Sequence, residues 1–429
     1  MGGMAAKRYY FLRASTFFLG FGIAVSISGA DLVLQKVPPL TVAQAPNYPQ
    51  NLARFDLGAQ IESDVPDDAS SSVPFLSGDP ASVYGLRTGT TRLLISLAQI
   101  ENIDSIAFLN SEAKGTVTIA MSGAKLSPES PQWHDAGQEE LSNGLISARI
   151  GPAEAKYVRL TFNVRSPGRI FNLGIYSAAP VSDFTMPRAR KIAAAGSADA
   201  RAKTNYNLAD LHAKARTIFV SSGDDLKLAY NMIDGQPGTA CGFAASDAAP
   251  AAIIDLGHSV SVNRISTFST PSSATVTFYL LGALPGNNTG NLESSLRIDP
   301  QTLAAFRTVG TGNDDGSGRV AVDFEETTGR YVMLVWTPST RNANFSVAEV
   351  VVFGPASNAR LLAANTIGNN PSDTSDGKTV RDSKDAKDFS KEIPGEGPAE
   401  ERAPGEGPAP ELPRPPPFVF IPRVVPTSP

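Results

Sequence analysis

Leu94-Ile95-Ser96-Leu97, Ser105-Ile106-Ala107-Phe108, Thr116-Val117-Thr118-Ile119 and Ser122-Gly123-Ala124 follow one another in a series that the chain repeats. The series returns as Ile253-Ile254-Asp255-Leu256, Arg264-Ile265-Ser266-Thr267, Thr275-Val276-Thr277-Phe278 and Leu281-Gly282-Ala283. Residue type and spacing recur together, so the sequence holds two copies of one unit. Further on, Lys156-Tyr157-Val158-Arg159-Leu160-Thr161-Phe162 matches Arg330-Tyr331-Val332-Met333-Leu334-Val335-Trp336. A polar loop and a last apolar segment follow each, Phe171 to Tyr176 in the first copy and Phe345 to Phe353 in the second. The starts agree as well, since Asn47-Tyr48 and Asn51-Leu52-Ala53 echo Asn205-Tyr206-Asn207-Leu208-Ala209.

Within a copy the apolar residues alternate. Val158, Leu160 and Phe162 fall on one side of an extended chain and Tyr157, Arg159 and Thr161 on the other, which is the period of a β-strand. Such runs of four to eight residues lie between clusters of Gly, Pro, Ser and Asn, with little sustained helical period. The reading is all-β: two tandem jelly-roll-like β-sandwich domains, the first over residues 46–180 and the second over 204–356.

The flanking segments differ in composition. Lys7, Arg8 and Arg13 precede the apolar run Phe17 to Val25, which ends in Ser28-Gly29-Ala30. That order reads as an export signal over residues 1–30, and its apolar run is shorter than the roughly 20 residues a membrane span needs. Residues 181–203 form a basic, Ala-rich linker. Residues 357–429 are rich in Asp, Lys, Glu, Gly and Pro, repeat Pro394-Gly395-Glu396-Gly397-Pro398-Ala399 at Pro404 to Ala409, and are read as a disordered tail. Its apolar end, Phe418-Val419-Phe420-Ile421, is a candidate for docking on a protein partner, with an inert terminus as the other reading.

With 37 Lys and Arg against 42 Asp and Glu, the net charge of −5 argues against a nucleic-acid partner. One cysteine excludes an intrachain disulfide framework, and three histidines leave little for a zinc site. A disulfide-free exported chain fits a secreted, periplasmic or cell-surface protein, with a bacterial envelope favoured. The sequence has no Gly-x-Ser-x-Gly elbow, His-Glu-x-x-His or phosphate loop, and Cys241 has no histidine near it, so the chain is read as not an enzyme.

The second copy carries Ile233-Asp234-Gly235-Gln236-Pro237-Gly238-Thr239-Ala240-Cys241-Gly242-Phe243, then Ile253-Ile254-Asp255-Leu256-Gly257, and closes on Glu349-Val350-Val351-Val352-Phe353-Gly354. This order resembles the discoidin, or coagulation-factor type C, family and its galactose-binding-like carbohydrate-binding relatives, with Cys241 to Phe243 standing where the family has a Trp. The first copy resembles it more loosely, with Leu76-Ser77-Gly78-Asp79-Pro80 at the turn and Gly174 set in the place of Glu349. The resemblance implies a structural Ca²⁺ in the second domain, with Asp234, Thr239 and Glu349 as its residues. The plainer reading makes Asp234 a turn cap and Glu349 a strand residue.

The resemblance also implies a glycan site on the rim loops, where Trp336, Arg341, Asn342 and Asn344 offer an aromatic face and hydrogen-bonding groups. Arg165 and Arg169 are the first copy's counterparts. Trp336 also continues the alternation of Val332 and Leu334, which makes it a core residue; Trp133 is the second aromatic candidate, aligned with Phe306. The expected function is therefore a noncatalytic carbohydrate-binding protein of the envelope. A structural or assembly protein that uses the sandwiches and the tail for protein contacts is the alternative.

Overall fold

The computed structural model describes residues 31–64, 73–177, 206–270, 273–285, 294–340 and 344–355. The export signal, the 181–203 linker, Arg341, Asn342 and the 357–429 tail lie outside these. The described chain is almost entirely antiparallel strand, and no described helix is long and apolar enough to cross a membrane.

One network of strands is built from β2 (Gln60–Ser63), β3 (Tyr84–Leu86), β4 (Gly89–Ser111), β5 (Lys114–Ser122), β6 (His134–Leu141), β7 (Gly144–Ser166) and β8 (Gly168–Ser177). Its order is β3-β8-β4-β7-β5-β6, with β2 on the outer side of β4. β4 and β7 are each 23 residues long and break register between Ser96 and Glu101 and between Ile103 and Ser105. These breaks fold the network over, so that Leu93, Ile95 and Leu97 from the first half of β4 and Ile103, Ile106 and Phe108 from the second share one core with Val158, Leu160 and Phe162. That is a sandwich made by two bent strands passing through both layers.

The second network repeats the plan. β12 (Ala251–Thr270) and β16 (Arg319–Pro338) are the long strands, flanked by β10 (Arg216–Val220), β13 (Ala274–Leu281) and β15 (Thr308–Asn313) in one layer. The other layer adds β9 (Tyr206–Asn207), β11 (Cys241–Phe243) and β17 (Phe345–Gly354). A short helix at Pro300–Ala305, N-capped by the Asp299 carboxylate, covers the outer face.

One strand has no counterpart in the sequence reading. β1 (Leu32–Lys36) precedes the first copy yet pairs with β10 and with β14 (Ser295–Ile298) of the second. Leu34 of β1 is fully buried in an outer apolar cluster with Phe219, Ile253, Met333 and Leu303. Tyr48 and Val37 join the second sandwich's main core, and the Tyr230 hydroxyl donates to the Pro38 carbonyl. The first sandwich is thus threaded between β1 and the remainder of the second.

Candidate functional site

The two sandwiches meet through the layers that hold β8 and β12. Phe171 on β8 stands edge-on to Phe268 on β12, with ring centroids 5.7 Å apart, and the Arg319 guanidinium lies 4.5 Å over the Phe171 ring. Asp79, only 5% exposed, accepts from Arg264 Nε at 3.0 Å and from the Ser266 hydroxyl at 2.7 Å. Arg264 also reaches Asp323 at 2.6 Å, so the guanidinium is held from both sides. Salt bridges with one buried partner depend on such complete hydrogen bonding, because desolvation otherwise outweighs attraction.

The Asp234–Thr239 turn lies at this junction. Gly235 has φ of +68°, the left-handed region that glycine enters without strain. Its carbonyl accepts from three side chains of the first sandwich: Tyr176 Oη at 2.8 Å, Asn51 Nδ2 at 3.3 Å and Arg54 Nη2 at 3.4 Å. Arg54 also donates to the Leu173 carbonyl at 3.2 Å and to Asn172 Oδ1 at 3.5 Å. Gly78 has φ of +78°, and a Cβ there would come within 2.7 Å of the Arg54 guanidinium carbon, so a larger residue would strain the turn and shift the arginine.

Hydrogen bonding aligns the copies residue by residue. Asn51 Oδ1 accepts from Ala53 and Ile175 amides, and Asn207 Oδ1 accepts from Ala209 and Val352 amides. Leu52 donates to the Ile175 carbonyl and Leu208 to the Val352 carbonyl, both at 2.7 Å. Ile175 is therefore the equivalent of Val352, while across the register shift Phe171, facing Leu109, stands where Glu349 faces Phe268. The alignment by sequence set Gly174 opposite Glu349 because bulges, between Ala107 and Leu109 and between Phe268 and Ser269, are silent in the residue pattern. Gly174 instead leaves room for the Tyr176 hydroxyl, which a Cβ there would meet at 2.1 Å. Counting on from Asn51 and Asn207 makes Arg54 the equivalent of Asp210.

Asp234, Thr239 and Glu349, the residues named for Ca²⁺, divide into a saturated part and an orphaned part. Asp234 is 3% exposed and its oxygens accept from the Gln236 amide, Gln236 Nε2 and the Thr239 hydroxyl at 2.9–3.0 Å. Burial pushes its carboxyl up to about 8, against the pull of those donors. Glu349 is 1% exposed, and neither carboxylate oxygen has a hydrogen-bond partner. Burial first, then the charge of Asp234, hold its pKa well above the ordinary carboxylate range, while Arg54 and Asn172 pull it back. Asn172 Nδ2 is likewise buried without a partner. Calcium takes 6–8 oxygens. Here the Thr239 hydroxyl is turned onto Asp234, the Gly235 carbonyl is taken by three donors, and no described group of three or more His, Cys, Asp or Glu side chains is placed to hold a metal. As they stand, these residues do not fit a Ca²⁺ cage.

The rim residues fare differently. Trp336 is fully buried, tilted against Phe243 at 5.9 Å and Phe345 at 6.2 Å. Phe243 thus belongs to one aromatic layer with Trp336 and Phe345, and Trp336 presents no face to a sugar. Trp133 is 8% exposed, and Arg159 stacks on its ring at 4.7 Å. Asn344, Arg165 and Arg169 are exposed; Arg165 pairs with Glu140 at 3.3 Å, each side chain more than 70% exposed. Asp315 is exposed in the β15–β16 loop, and Arg319, seated on Phe171, feels the charges of Asp315, Arg169 and Asp314. The rim of the first sandwich therefore adjoins the rim of the second. Of the residues that make this junction, Asn51, Asp79, Tyr176 and Arg264 stand in the repeated segments, but the repeat gave no sign that they meet across the sandwiches, and nothing in it singled out Arg54.

No protein-family model matches the chain, and no curated protein matches it. Among solved structures it is similar to an F-lectin (fucolectin) from striped bass (Morone saxatilis) serum, at 15% identity and a TM-score of 0.25, covering 72% of this chain and 98% of that one. It is similar to allantoicase of Saccharomyces cerevisiae at 12% identity and a TM-score of 0.27, covering 75% and 99%. A chitosan-binding module from a Paenibacillus chitosanase/glucanase is similar at 22% identity and a TM-score of 0.27, covering 35% of this chain and 99% of the module.

Proposed function

We propose that this chain is a noncatalytic, exported binding protein that recognises carbohydrate through the rim loops of its two sandwiches. The observation that carries the reading is the adjoining of the two rims across Arg319 and Phe171, with Arg165, Arg169, Asp315 and Asn344 exposed on them. Arginine, carboxylate and amide groups supply the planar, two-pronged hydrogen bonds that vicinal hydroxyls accept and donate. With Trp336 enclosed in the core, recognition rests on hydrogen bonds, and each rim alone binds weakly. Two rims held on one chain raise the affinity for an extended glycan by making the second contact intramolecular.

In this reading residues 1–30 direct export to a bacterial envelope and residues 357–429 act as a spacer for an envelope partner. A glycan-array screen of residues 31–355 is the test. Binding that falls in Arg169→Ala and Asn344→Ala variants, with unchanged melting, supports it. A silent array together with capture of an envelope protein favours the assembly role instead.

A further inference from the structure

We propose that Arg169 of the first sandwich and Arg319 of the second form a two-armed clamp, at the seam between the rims, for the anionic group of an acidic saccharide, a carboxylate or a sulfate ester. This rests on the rim reading above and names the ligand class that the rims select. Strand geometry brings the two arginines together. On β8, Ile170 is fully buried in the first core, so Arg169 and Phe171 on either side of it share the opposite face, the one turned to the second sandwich. On β16, Val320 lies in the second core, so Arg319 stands on the face turned back to the first, directly across from Phe268. Phe171 meets Phe268 edge-on, and the Arg319 guanidinium lies 4.5 Å over the Phe171 ring. Arg169 is the next residue on that face, roughly 7 Å further along the strand toward the rim. It lies between Ser111 and Gly85 of the flanking strands, and a Cβ on Gly85 would meet nothing within 4 Å, so the space beside the arginine is open.

Neither guanidinium has an anion of its own. Among the described residues neither makes an ion pair or a side-chain hydrogen bond, and Arg319 Nη1 is buried without an acceptor. The carboxylates of the adjoining loop are engaged elsewhere: Asp314 accepts from the Ser273, Gly316 and Gly318 amides, and Asp315 from the Ser317 amide. Burial lowers the Arg319 pKa, Asp315 raises it again and Arg169 works against that gain, as expected where two cations share one place. Like charges held together outside bulk water repel, and an oxyanion between them relieves the repulsion while filling both donor forks. A neutral hydroxyl supplies no such charge, so the anionic group, rather than the sugar ring, decides what binds at the seam.

Calorimetric titration of the full chain with a uronic-acid oligosaccharide, a sulfated oligosaccharide and the neutral parent of each tests this. At least one acidic ligand should bind about ten-fold or more tightly than its neutral parent, and the advantage should shrink as salt rises. Arg169→Gln, at an exposed side chain, should keep the melting temperature and lower the acidic ligand's affinity by about ten- to a hundred-fold, the loss of one charge-assisted contact. Arg319→Lys keeps the charge but not the fork, and should lower it less. Lys125→Gln removes the same charge from an exposed pair with Glu62 and should leave binding unchanged. Neutral parents that bind as tightly as the acidic ligands would overturn the proposal and leave the rim reading standing, whereas no binding by any of the four would overturn both. An acidic preference that survives Arg169→Gln would place the anion elsewhere and overturn the clamp.

Discussion

Trp336 and Cys241 show how burial decides what a side chain does. Trp336 closes an aromatic triad with Phe243 and Phe345, so Trp336→Ala removes the largest fully buried side chain and should cost about 3–5 kcal/mol. Its indole N–H has no partner, so Trp336→Phe, which keeps a ring and discards that group, should cost far less in urea unfolding. The alternation with Val332 and Leu334 gave this burial away in the sequence, whereas the chemistry of the rim pointed the other way; strand period proved the stronger signal because the whole strand obeys it. Cys241 is 2% exposed, and burial pushes its thiol up to about 12. At pH 8 it is therefore protonated as well as shielded, and a maleimide should label it in denaturant and leave it unlabelled in the folded chain. Labelling of the native protein at comparable rate would show that β11 opens.

The long strands β4, β7, β12 and β16 were legible because their apolar sets repeat at period two and recur between copies. β1 was not. Its five residues alternate, with Leu34 inward and Val33 40% exposed, but so short a run has nothing in its own neighbourhood to pair with. Its partners, Arg297 and Val220, are far along the chain, and only the closed sheet brings them together. The strand covers the edges of β10 and β14, which would otherwise present unpaired backbone groups. Leu34→Ala should therefore cost about 2–5 kcal/mol, while Val33→Ala on the opposite face should stay within about 1 kcal/mol. Urea midpoints of the two variants check this, and equal losses would mean that β1 does not seat in the outer cluster.

Across the whole molecule, the repeat predicts two sandwiches, yet it says nothing of how they join, because the joining pairs lie far apart along the chain, 59 residues for Tyr176 and Gly235 and 185 for Asp79 and Arg264. The chain leaves the second sandwich after β1, builds the first, and returns, so separating the two would require opening a path that begins and ends in the same core. Separation would also expose Phe171 and strand Asp79 and Arg264, which are bonded through the contact. Removing one partner of such a buried pair costs about 3–5 kcal/mol, comparable with the whole stability of a small domain. The sandwiches should therefore unfold together. Scanning calorimetry of the full chain should give one transition whose calorimetric and van't Hoff enthalpies agree. Asp79→Ala should weaken this coupling, since Arg264 then keeps only the exposed Asp323, and its trace should broaden or split. Two resolved transitions in the wild type would show instead that the contact between the sandwiches is weaker than either core.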